Sequence, residues 1–445
     1  MRVLLISNNP LSTVENNGKT LLSYFQDWEE ATVFQIWFRP ELPNSTACQE
    51  PNKKMSFFRL TDENVIRRQP GELFELSLLD LANNFSVPSE ESVIGLNKLY
   101  RSRLSSGTFF RLLREIPWLF YPFSSKNQNL LDVLFSFKPD LIFFCAGDSL
   151  FAYRIVETLR SRLEVPLVIY VTDDYILPYK NISPLAKFRR FLIRRSLLKM
   201  ASEASLFFTI GEKMQRTYKE LYGLKSQSLV NISSDHFSQI NYLEKVASSS
   251  YTWQLVYAGG LHYDRDKVLL ILIEAINQLN NLYNWQVFHL SIYALPHLPE
   301  ECLAALNSPG STYKGPASAE ELIKINQQAD VLVFVESDHP AAKRATALSL
   351  STKVPEYQSY HRAILSIGPD SSASIEYLKQ YSLFAPPSAT AVYQVLLEII
   401  NNPSILQKFA EIAYRNFTER HNPNRVKNEF RQNLCNVKER HIGSS

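Results

Sequence analysis

Hydrophobic and polar residues alternate along the chain with two different periods. Short apolar runs rich in β-branched and aromatic residues are separated by longer stretches in which an apolar residue recurs every three or four positions. The short runs predict strands and the longer stretches predict helices. In the first half, the predicted strands lie at residues 3–7, 32–38, 140–145, 166–172 and 204–210. Alternating strands and helices indicate a parallel sheet with helical crossovers, whereas the less regular segment 48–128 predicts insertions.

The second half of the chain repeats this alternation after a predicted helix at 213–222 and a short strand at 227–232. Predicted strands at 254–258, 286–293, 331–335 and 363–367 alternate with predicted helices at 267–281, 319–329, 389–401, 403–419 and 424–439. We therefore predict an α/β protein with two Rossmann-like, doubly wound domains that face each other across a cleft. The predicted domains span residues 1–235 and 250–420, with a flexible connection at serines 248–250. The C-terminal helix, 420–445, is expected to pack back on the first domain.

Composition narrows the class of protein. The chain has 445 residues, of which 45% are hydrophobic and 20% charged, as in a packed globular protein of two domains. A formal net charge of +3 is too small to indicate nucleic acid as a partner. The four cysteines are far apart, which argues against a zinc site or a disulfide framework and favours the cytoplasm. No apolar run is long enough to span a membrane, so any membrane contact is expected to be peripheral.

Loops that follow strands are the first places to look for a ligand, because doubly wound sheets bind ligands at the C-terminal ends of their strands. Gly18 follows the first predicted strand and precedes an apolar helix. A glycine there allows a close approach of the backbone to a phosphate or sugar, and a plain turn before the helix is an equally weighted alternative. The spacing of a Walker A loop is missing.

Three aspartates follow two consecutive predicted strands of the first half. Asp148 comes after the strand at 140–145, and Asp173 and Asp174 come after the strand at 166–172. Carboxylates from neighbouring strand ends can converge on a reacting sugar, where they accept hydroxyl protons or stabilise positive charge at the anomeric carbon. We therefore predict a catalytic role for these residues, with helix capping as the alternative.

The second half offers glycines, basic residues and hydroxyls after its strands. Glycines after a first strand suit close approach to a diphosphate, and hydroxyl residues before a helix leave backbone amides available to phosphate oxygens. A carboxylate one turn into that helix can accept hydrogen bonds from the two ribose hydroxyls, although a capping role is the alternative. The predicted donor-binding residues are Gly18, Gly259, Gly260, Arg265, Lys267, Glu336, Ser351, Thr352, Lys353 and Glu356.

Several of these segments together resemble the GT-B glycosyltransferases, in particular the retaining glycosyltransferase family four. The run Ser-Thr-Lys-Val-Pro-Glu-Tyr at 351–357, followed by the strand at 363–367, is similar to that family's Pro-x-Lys-x-x-Glu-Tyr segment. Tyr-Ala-Gly-Gly at 257–260 resembles the opening of its donor domain. In the first half, Lys-Pro-Asp-Leu-Ile at 138–142 resembles a strand entry of its acceptor domain, so the likeness covers nearly the whole chain.

The resemblance implies transfer of a sugar from a nucleotide-sugar donor, with retention at the anomeric carbon. It also implies no cofactor and no essential metal, because protein groups stabilise the departing diphosphate. The ribose role carries over to Glu356 but not to Glu336, because the family's paired glutamates stand closer together than these two do. Many relatives have histidine at the loops that Asp148 and Asp173 occupy here, and an arginine where Leu261 stands.

A basic segment at 187–199 has cationic and apolar residues at helical spacing, which suits an amphipathic helix on an anionic membrane. The segment 101–123 has a similar character. A helix that packs on the core with a solvated basic face is the alternative. Membrane contact would favour a lipid-linked acceptor over a free saccharide.

The sequence therefore predicts a glycosyltransferase that uses a nucleotide-sugar donor and a saccharide or lipid-linked acceptor. Two alternatives remain at this point. A sugar-nucleotide epimerase of the same fold would use the donor site without an acceptor, and a non-catalytic sugar-nucleotide-binding subunit would explain the missing histidines.

Overall fold

The computed structural model describes residues 1–13, 16–48, 50–82, 107–246, 251–296 and 299–443. The chain divides into two compact units. Unit 1 comprises Met1–Leu229 together with Lys427–Ser445, and unit 2 comprises Val230–Val426. The chain thus enters the second unit at Val230, before the predicted boundary. The serines predicted to form a flexible connection, 248–250, lie outside the described residues.

Unit 1 is built on a sheet with strand order β4-β3-β2-β1-β5-β6-β7-β8. Only the pairing of β4 with β3 is antiparallel among these described strands. Strand order reverses on either side of β1, which pairs with both β2 and β5 and so creates a switch point. The strands are β1 Arg2–Ser7, β2 Thr32–Trp37, β3 Met55–Arg59, β4 Glu72–Leu76, β5 Leu141–Cys145, β6 Leu167–Val171, β7 Leu206–Thr209 and β8 Gln227–Ser228.

Helices cover the faces of this sheet because its central strands are continuous apolar runs. Every residue of β5 and β6 is buried, as parallel strands covered on both faces require. The described helices are α1 Asn16–Phe25, α2 Asp62–Ile66, α3 Leu78–Ala82, α4 Thr108–Leu119, α5 Phe123–Lys126, α6 Gln128–Phe137, α7 Leu150–Leu163, α8 Pro184–Glu203 and α9 Glu212–Tyr222.

Unit 2 has a second sheet, with strand order β11-β10-β9-β12-β13-β14 and parallel pairing throughout its described strands. Here β9 pairs with both β10 and β12, which places the switch point at the end of β9. The strands are β9 Trp253–Ala258, β10 Phe288–Tyr293, β11 Ser311–Gly315, β12 Val331–Val335, β13 Ala363–Ile367 and β14 Leu383–Ala385.

The helices of unit 2 pack on a core of buried aliphatic side chains from the strands and from the longest helix. They are α10 Tyr242–Val246, α11 Arg265–Tyr283, α12 Glu300–Ala304, α13 Ala319–Gln328, α14 Pro340–Thr346, α15 Lys353–Ser359, α16 Ala373–Leu378, α17 Ala389–Asn401 and α18 Ser404–Asn416. A π-helical turn, Phe417–His421, follows α18, so the helix predicted at 403–419 ends earlier than expected.

The C-terminal helix α19, Pro423–Ile442, returns the chain to unit 1 from Lys427 onward. Phe430 is buried against the rings of Tyr24, Phe25 and Phe143, at centroid distances of 5.3, 5.3 and 5.6 Å. Lys438 forms an ion pair of 3.2 Å with Asp140, which precedes β5. From Lys427 onward, α19 therefore packs as part of unit 1.

The basic segment predicted to lie on a membrane is part of α8, and two of its arginines point toward the protein. Arg189 is buried and donates to Asp148, whereas Arg190 binds the carboxylate of Asp174 and donates to the Leu177 carbonyl oxygen at 2.7 Å. These two cations are therefore not part of a solvated stripe. Among the described residues, every helix is too short or too polar to cross a bilayer.

Candidate functional site

The C-terminal end of β9 meets the first turn of α15 in unit 2. Tyr357 fastens the two elements, because its hydroxyl donates to the carbonyl oxygen of Ala258 at 3.1 Å and accepts from the amide of Ala258 at 3.3 Å. Tyr357 is buried, so this tie is protected from water. The tie brings Lys353, the first residue of α15, over the glycines that follow β9.

Lys353 occupies the space that a side chain at position 259 would need. Its Nζ lies 1.8 Å from where a Cβ on Gly259 would stand, and it is 5.3 Å from the centroid of the Tyr257 ring. Among the described residues, its ammonium has no hydrogen-bond or ion-pair partner. Burial and the positive charge of Arg265 lower the pKa of Lys353 to about 8, against the opposing effect of Glu356 and Glu336. The site therefore holds a cation whose charge is incompletely balanced.

Arg265 supplies a second cation at the start of α11. Its guanidinium forms an ion pair of 2.9 Å with Glu336, which follows β12, and its other terminal nitrogen lies 2.9 Å from Nε2 of His262. Burial acts to lower the pKa of Arg265, but the charge of Glu336 outweighs it and the pKa is raised. Glu336 is almost fully buried. Its evident role in the structure is to orient Arg265.

Glu356 lies one turn beyond Lys353 on α15 and is half-buried. In the part of the chain that the structure describes, its carboxylate accepts no hydrogen bond. The alternative, a helix-capping role for this glutamate, is thus not seen among these residues. Its oxygen atoms are available to hydroxyl groups of a ligand, as the prediction of ribose binding requires.

The expectation of free backbone amides before α15 is wrong for two residues. The amide of Ser351 donates to Oγ of Ser374 at 3.0 Å, and the amide of Lys353 donates to Oγ of Ser351 at 3.3 Å. Serine hydroxyls from this turn and from α16 satisfy both donors locally. Thr352 is the N-cap residue, and its hydroxyl makes no capping hydrogen bond.

The remaining predicted residues of unit 2 are Lys267 and Gly260. Lys267 is largely exposed and pairs with Asp264 at 3.0 Å, so Arg265 rather than Lys267 accompanies Lys353. The carbonyl oxygen of Gly260 accepts from the Tyr257 hydroxyl at 2.7 Å. A Cβ on Gly260 would come within 2.6 Å of Nδ1 of His262.

The three predicted catalytic aspartates belong to unit 1, and their surroundings are very different from one another. Asp174 has a side chain that is only 1% exposed and is bound to Arg190. Its Oδ1 accepts from the amides of Ile176 and Leu177 and from the Tyr218 hydroxyl, each at 3.1 Å. These partners use its acceptor capacity and tie the loop after β6 to α8 and α9.

Asp148 lies after β5, where Arg111 and Arg189 donate to its carboxylate at 3.2 and 3.1 Å. Burial acts to raise the pKa of Asp148, but Arg189 and Arg111 outweigh it, and the pKa is lowered. Asp173 instead meets hydroxyl groups, with Tyr175 and Thr172 at 3.3 and 3.4 Å from its Oδ2. Unlike the buried side chain of Asp174, the carboxylate of Asp173 is half-buried.

Gly18 lies in α1 and is required by packing against its own chain. A Cβ at this position would be 2.3 Å from the carbonyl oxygen of Pro10 and 3.0 Å from the amide nitrogen of Ser12. The close approach that was predicted thus involves protein backbone. This explains a glycine here without a ligand.

The structure therefore brings Gly259, Arg265, Glu336, Lys353 and Glu356 into one site at the switch point of unit 2. Two tyrosines that the sequence prediction did not assign complete it. Tyr257 forms the surface beside Lys353, and Tyr357 positions α15. Both lie within motifs that resemble family four, Tyr-Ala-Gly-Gly at 257–260 and the Glu-Tyr end of 351–357, but neither was predicted to have a role. Within the described residues, no group of three histidine, cysteine or acidic side chains is arranged to hold a metal ion.

Comparison with solved structures finds the same architecture in proteins of very different sequence. Sucrose-phosphate synthase from Thermosynechococcus elongatus aligns over 100% of both chains, with a TM-score of 0.61 and 12% identity. HepE from Anabaena in complex with UDP aligns over 98% of this chain and 100% of its own, with a TM-score of 0.60 and 11% identity. The α,α-trehalose 6-phosphate synthase from Burkholderia multivorans aligns over 100% of this chain and 98% of its own, with a TM-score of 0.59 and 11% identity.

The chain has the GT-B fold. The alignments extend over both units, which confirms the predicted fold class. No protein-family model matches the sequence, and no curated protein matches it either. Within the GT-B fold, the site around Lys353 lies at the switch point of unit 2, where a doubly wound sheet binds its ligand.

Proposed function

We propose that this GT-B protein is a glycosyltransferase that moves a sugar from a nucleoside-diphosphate sugar to an acceptor hydroxyl, with unit 2 binding the donor. The observation that carries the proposal is the ammonium of Lys353, which lies over Gly259 without an anionic partner among the described residues. A half-buried cation is costly unless a ligand balances it. A diphosphate is the group that would do so.

The donor would be held at two points. Lys353 and Arg265 would bind the diphosphate, because both are cations at the end of β9 and Glu336 fixes the guanidinium. Glu356, one turn along α15, would accept hydrogen bonds from the ribose hydroxyls. Gly259 has no side chain, which leaves room for Lys353 and for the backbone to approach the phosphates.

In the proposed reaction, the bond between the anomeric carbon and the diphosphate oxygen breaks, and its electron pair leaves with the diphosphate. Lys353 and Arg265 stabilise the negative charge that develops there. The acceptor oxygen forms the new bond to the anomeric carbon and loses its proton. Asp173 is the proposed carboxylate for this proton or for a sugar hydroxyl, with Asp148 and Asp174 as further predicted residues. Retention of configuration and independence from metal are proposed from the resemblance.

The identity of the donor can be tested directly. HepE has been solved with UDP-glucose, and a trehalose-6-phosphate structure from E. coli holds UDP-2-fluoro glucose, so UDP and UDP-glucose are the first probes. A nucleoside diphosphate that binds only the native state should raise the Tm in a screen of UDP, GDP, ADP and dTDP. Absence of a shift with all four would contradict the donor site.

Product analysis then separates the three candidate activities. A glycosyltransferase releases nucleoside diphosphate from the sugar nucleotide, and the release accelerates when a mixture of saccharide and lipid-linked acceptors is added. An epimerase changes the sugar of the donor without releasing diphosphate. A binding subunit raises its own Tm but leaves the donor intact.

A further inference from the structure

Helix α4 has its apolar face turned to solvent. Phe109, Leu113 and Ile116 of α4 follow one another at spacings of four and three residues, and the C-cap residue Phe120 follows four residues later, which places them on one side of the helix. Their exposed fractions are 57%, 41%, 49% and 68%. We call these four side chains the apolar face of α4. A surface helix ordinarily buries such a face and exposes its polar residues.

The opposite side of α4 is held by polar contacts. Arg114 donates to both oxygens of Asp62 at 2.9 and 2.8 Å, and the indole of Trp118 donates to the same carboxylate at 2.6 Å. Glu115 accepts from the amides of Leu150 and Phe151 at 2.9 and 3.0 Å. These contacts fix the orientation of α4, so that it cannot rotate its apolar face inward without breaking them.

Helix α8 adds a second exposed apolar strip beside α4. The two helices are neighbours, because Arg111 of α4 and Arg189 of α8 both bind Asp148. On α8, Phe188 and Phe191 are exposed. Each of these two neighbouring helices therefore exposes large apolar side chains of its own.

The two helices carry an excess of positive charge. Glu115 and Glu203 are the only acidic residues in the two helices, and both accept hydrogen bonds from the protein. Lys187 and Arg195 are exposed and lie four residues before and after Phe191. Among the described residues, neither has an ion-pair partner. Two unpaired cations therefore flank an exposed aromatic ring.

We propose that this surface of α4 and α8 docks on an anionic lipid bilayer, with aromatic side chains entering the headgroup region and Lys187 and Arg195 contacting lipid phosphates. A second copy of the chain fits less well. In a twofold contact the same positively charged surface of each copy would face the other, and the cations would repel one another. The proposal concerns a surface of unit 1 and does not depend on the donor chemistry of unit 2.

Vesicle co-sedimentation tests the proposal with phosphatidylcholine vesicles, with and without about one quarter phosphatidylglycerol. The wild-type chain is expected to bind the anionic vesicles. Replacing two exposed rings in the double variant F109Q/F120Q should lower the partition coefficient about tenfold or more. The matched control L221Q/L282Q alters two similarly exposed leucines elsewhere and should leave binding unchanged.

The charges are tested by the double variant K187E/R195E. Its affinity for anionic vesicles should fall to about that for neutral vesicles, because each basic residue near the surface contributes about a fivefold factor. All altered side chains are exposed, so each variant should keep its Tm within about 2 °C. If F109Q/F120Q exceeds that limit, L113Q/I116Q replaces it on the same face.

Three results would overturn the proposal. The first is failure of the wild-type chain to bind anionic vesicles, and the second is an equal loss of binding in L221Q/L282Q. The third is a wild-type dimer in gel filtration that F109Q/F120Q converts to a monomer, without vesicle binding by either. That last result would assign the surface to a second copy.

Discussion

The charged side chains at the strand ends of the two units differ in whether the protein itself supplies their partners. In unit 1, Asp174 and Asp148 are each bound by arginines of the same unit, and Asp174 accepts three further hydrogen bonds. In unit 2, Lys353 and Glu356 lie one helical turn apart without hydrogen bonds from the described residues to either charged group. Charges that the protein satisfies internally stabilise the fold, whereas charges left open are available to a ligand.

The largest effect on stability is expected from removing a charged side chain that is bound by other residues of its own unit. The substitution Asp174→Ala would leave Arg190 and the Tyr218 hydroxyl without their partner, so we expect a loss of about 2–4 kcal/mol in the free energy of unfolding. The Tm should fall by about 5–10 °C. Calorimetry measures this, and the affinity for nucleoside diphosphate at unit 2 should not change. An unaltered Tm would show that the contacts of Asp174 do not stabilise unit 1.

Removing the ammonium of Lys353 should have the converse effect, because it should weaken ligand binding without lowering the stability of the fold. We expect Lys353→Met to weaken nucleoside-diphosphate binding about 10- to 100-fold, the range of a lost charge-assisted contact. The Tm of the ligand-free protein should stay constant or rise, because burial disfavours this ammonium. Titration calorimetry and thermal unfolding measure the two quantities, with Lys267→Met as the matched control on an exposed lysine. A fall in both affinity and Tm would make Lys353 a structural residue.

The low pKa of Lys353 gives stability and ligand affinity opposite dependences on pH. A pKa of about 8 is below the usual 10.5, so between these values the unfolded chain binds more protons and the fold gains stability as pH rises. Ligand affinity has the opposite trend, because the diphosphate needs the protonated ammonium. Above pH 8, we expect affinity to fall by up to about tenfold per pH unit. Affinity that is flat from pH 7 to about 9.5 would exclude this ammonium from the site.

Substitution of Glu356 tests whether its carboxylate recognises the ribose of the nucleotide. In the wild-type protein, a 2′-deoxynucleoside diphosphate should bind about tenfold more weakly than the ribonucleotide, the value of one hydrogen bond to a charged group. In Glu356→Ala the two nucleotides should bind equally. Competition binding with both nucleotides measures this. A preference for ribose that survives the substitution would assign the recognition to another residue.

The smallest effect is expected from Gly259→Ala. The added Cβ would overlap Nζ of Lys353, and a flexible lysine can move aside with little cost to the fold. We expect an affinity loss of about threefold to tenfold, smaller than that of Lys353→Met, with an unchanged Tm. A large fall in Tm would show that the lysine cannot yield at this position.

Much of the fold could be predicted, because its central strands are continuous apolar runs. The strands predicted at 140–145 and 166–172 correspond to β5 and β6, whose residues are all buried. The edge strand β4 was missed because it mixes glutamate with leucine and is largely exposed. The π-helical turn Phe417–His421 was missed because the helical pattern runs on through it. In the structure, His421 at its end contacts the carbonyl oxygen of Asn231, which is far away in sequence.

The site was predicted as a set of candidates but not as an arrangement. Local patterns singled out Gly259, Lys353 and Glu356. They did not show that Nζ of Lys353 fills the space over Gly259, because that contact depends on the tie between Tyr357 and Ala258. The inward direction of Arg189 and Arg190 was missed for the same reason. Helical spacing gives the face of a residue, but only tertiary packing decides what that face meets.

The most direct test of the donor site is the proton uptake that accompanies binding. Titration calorimetry at pH 8.5 in two buffers of different ionisation enthalpy gives the number of protons taken up with the nucleoside diphosphate. Since much of the Lys353 population is neutral at that pH, we predict uptake of about half a proton or more in the wild-type protein and almost none in Lys353→Met. Equal proton uptake by the two proteins would contradict the assignment of Lys353 to the diphosphate.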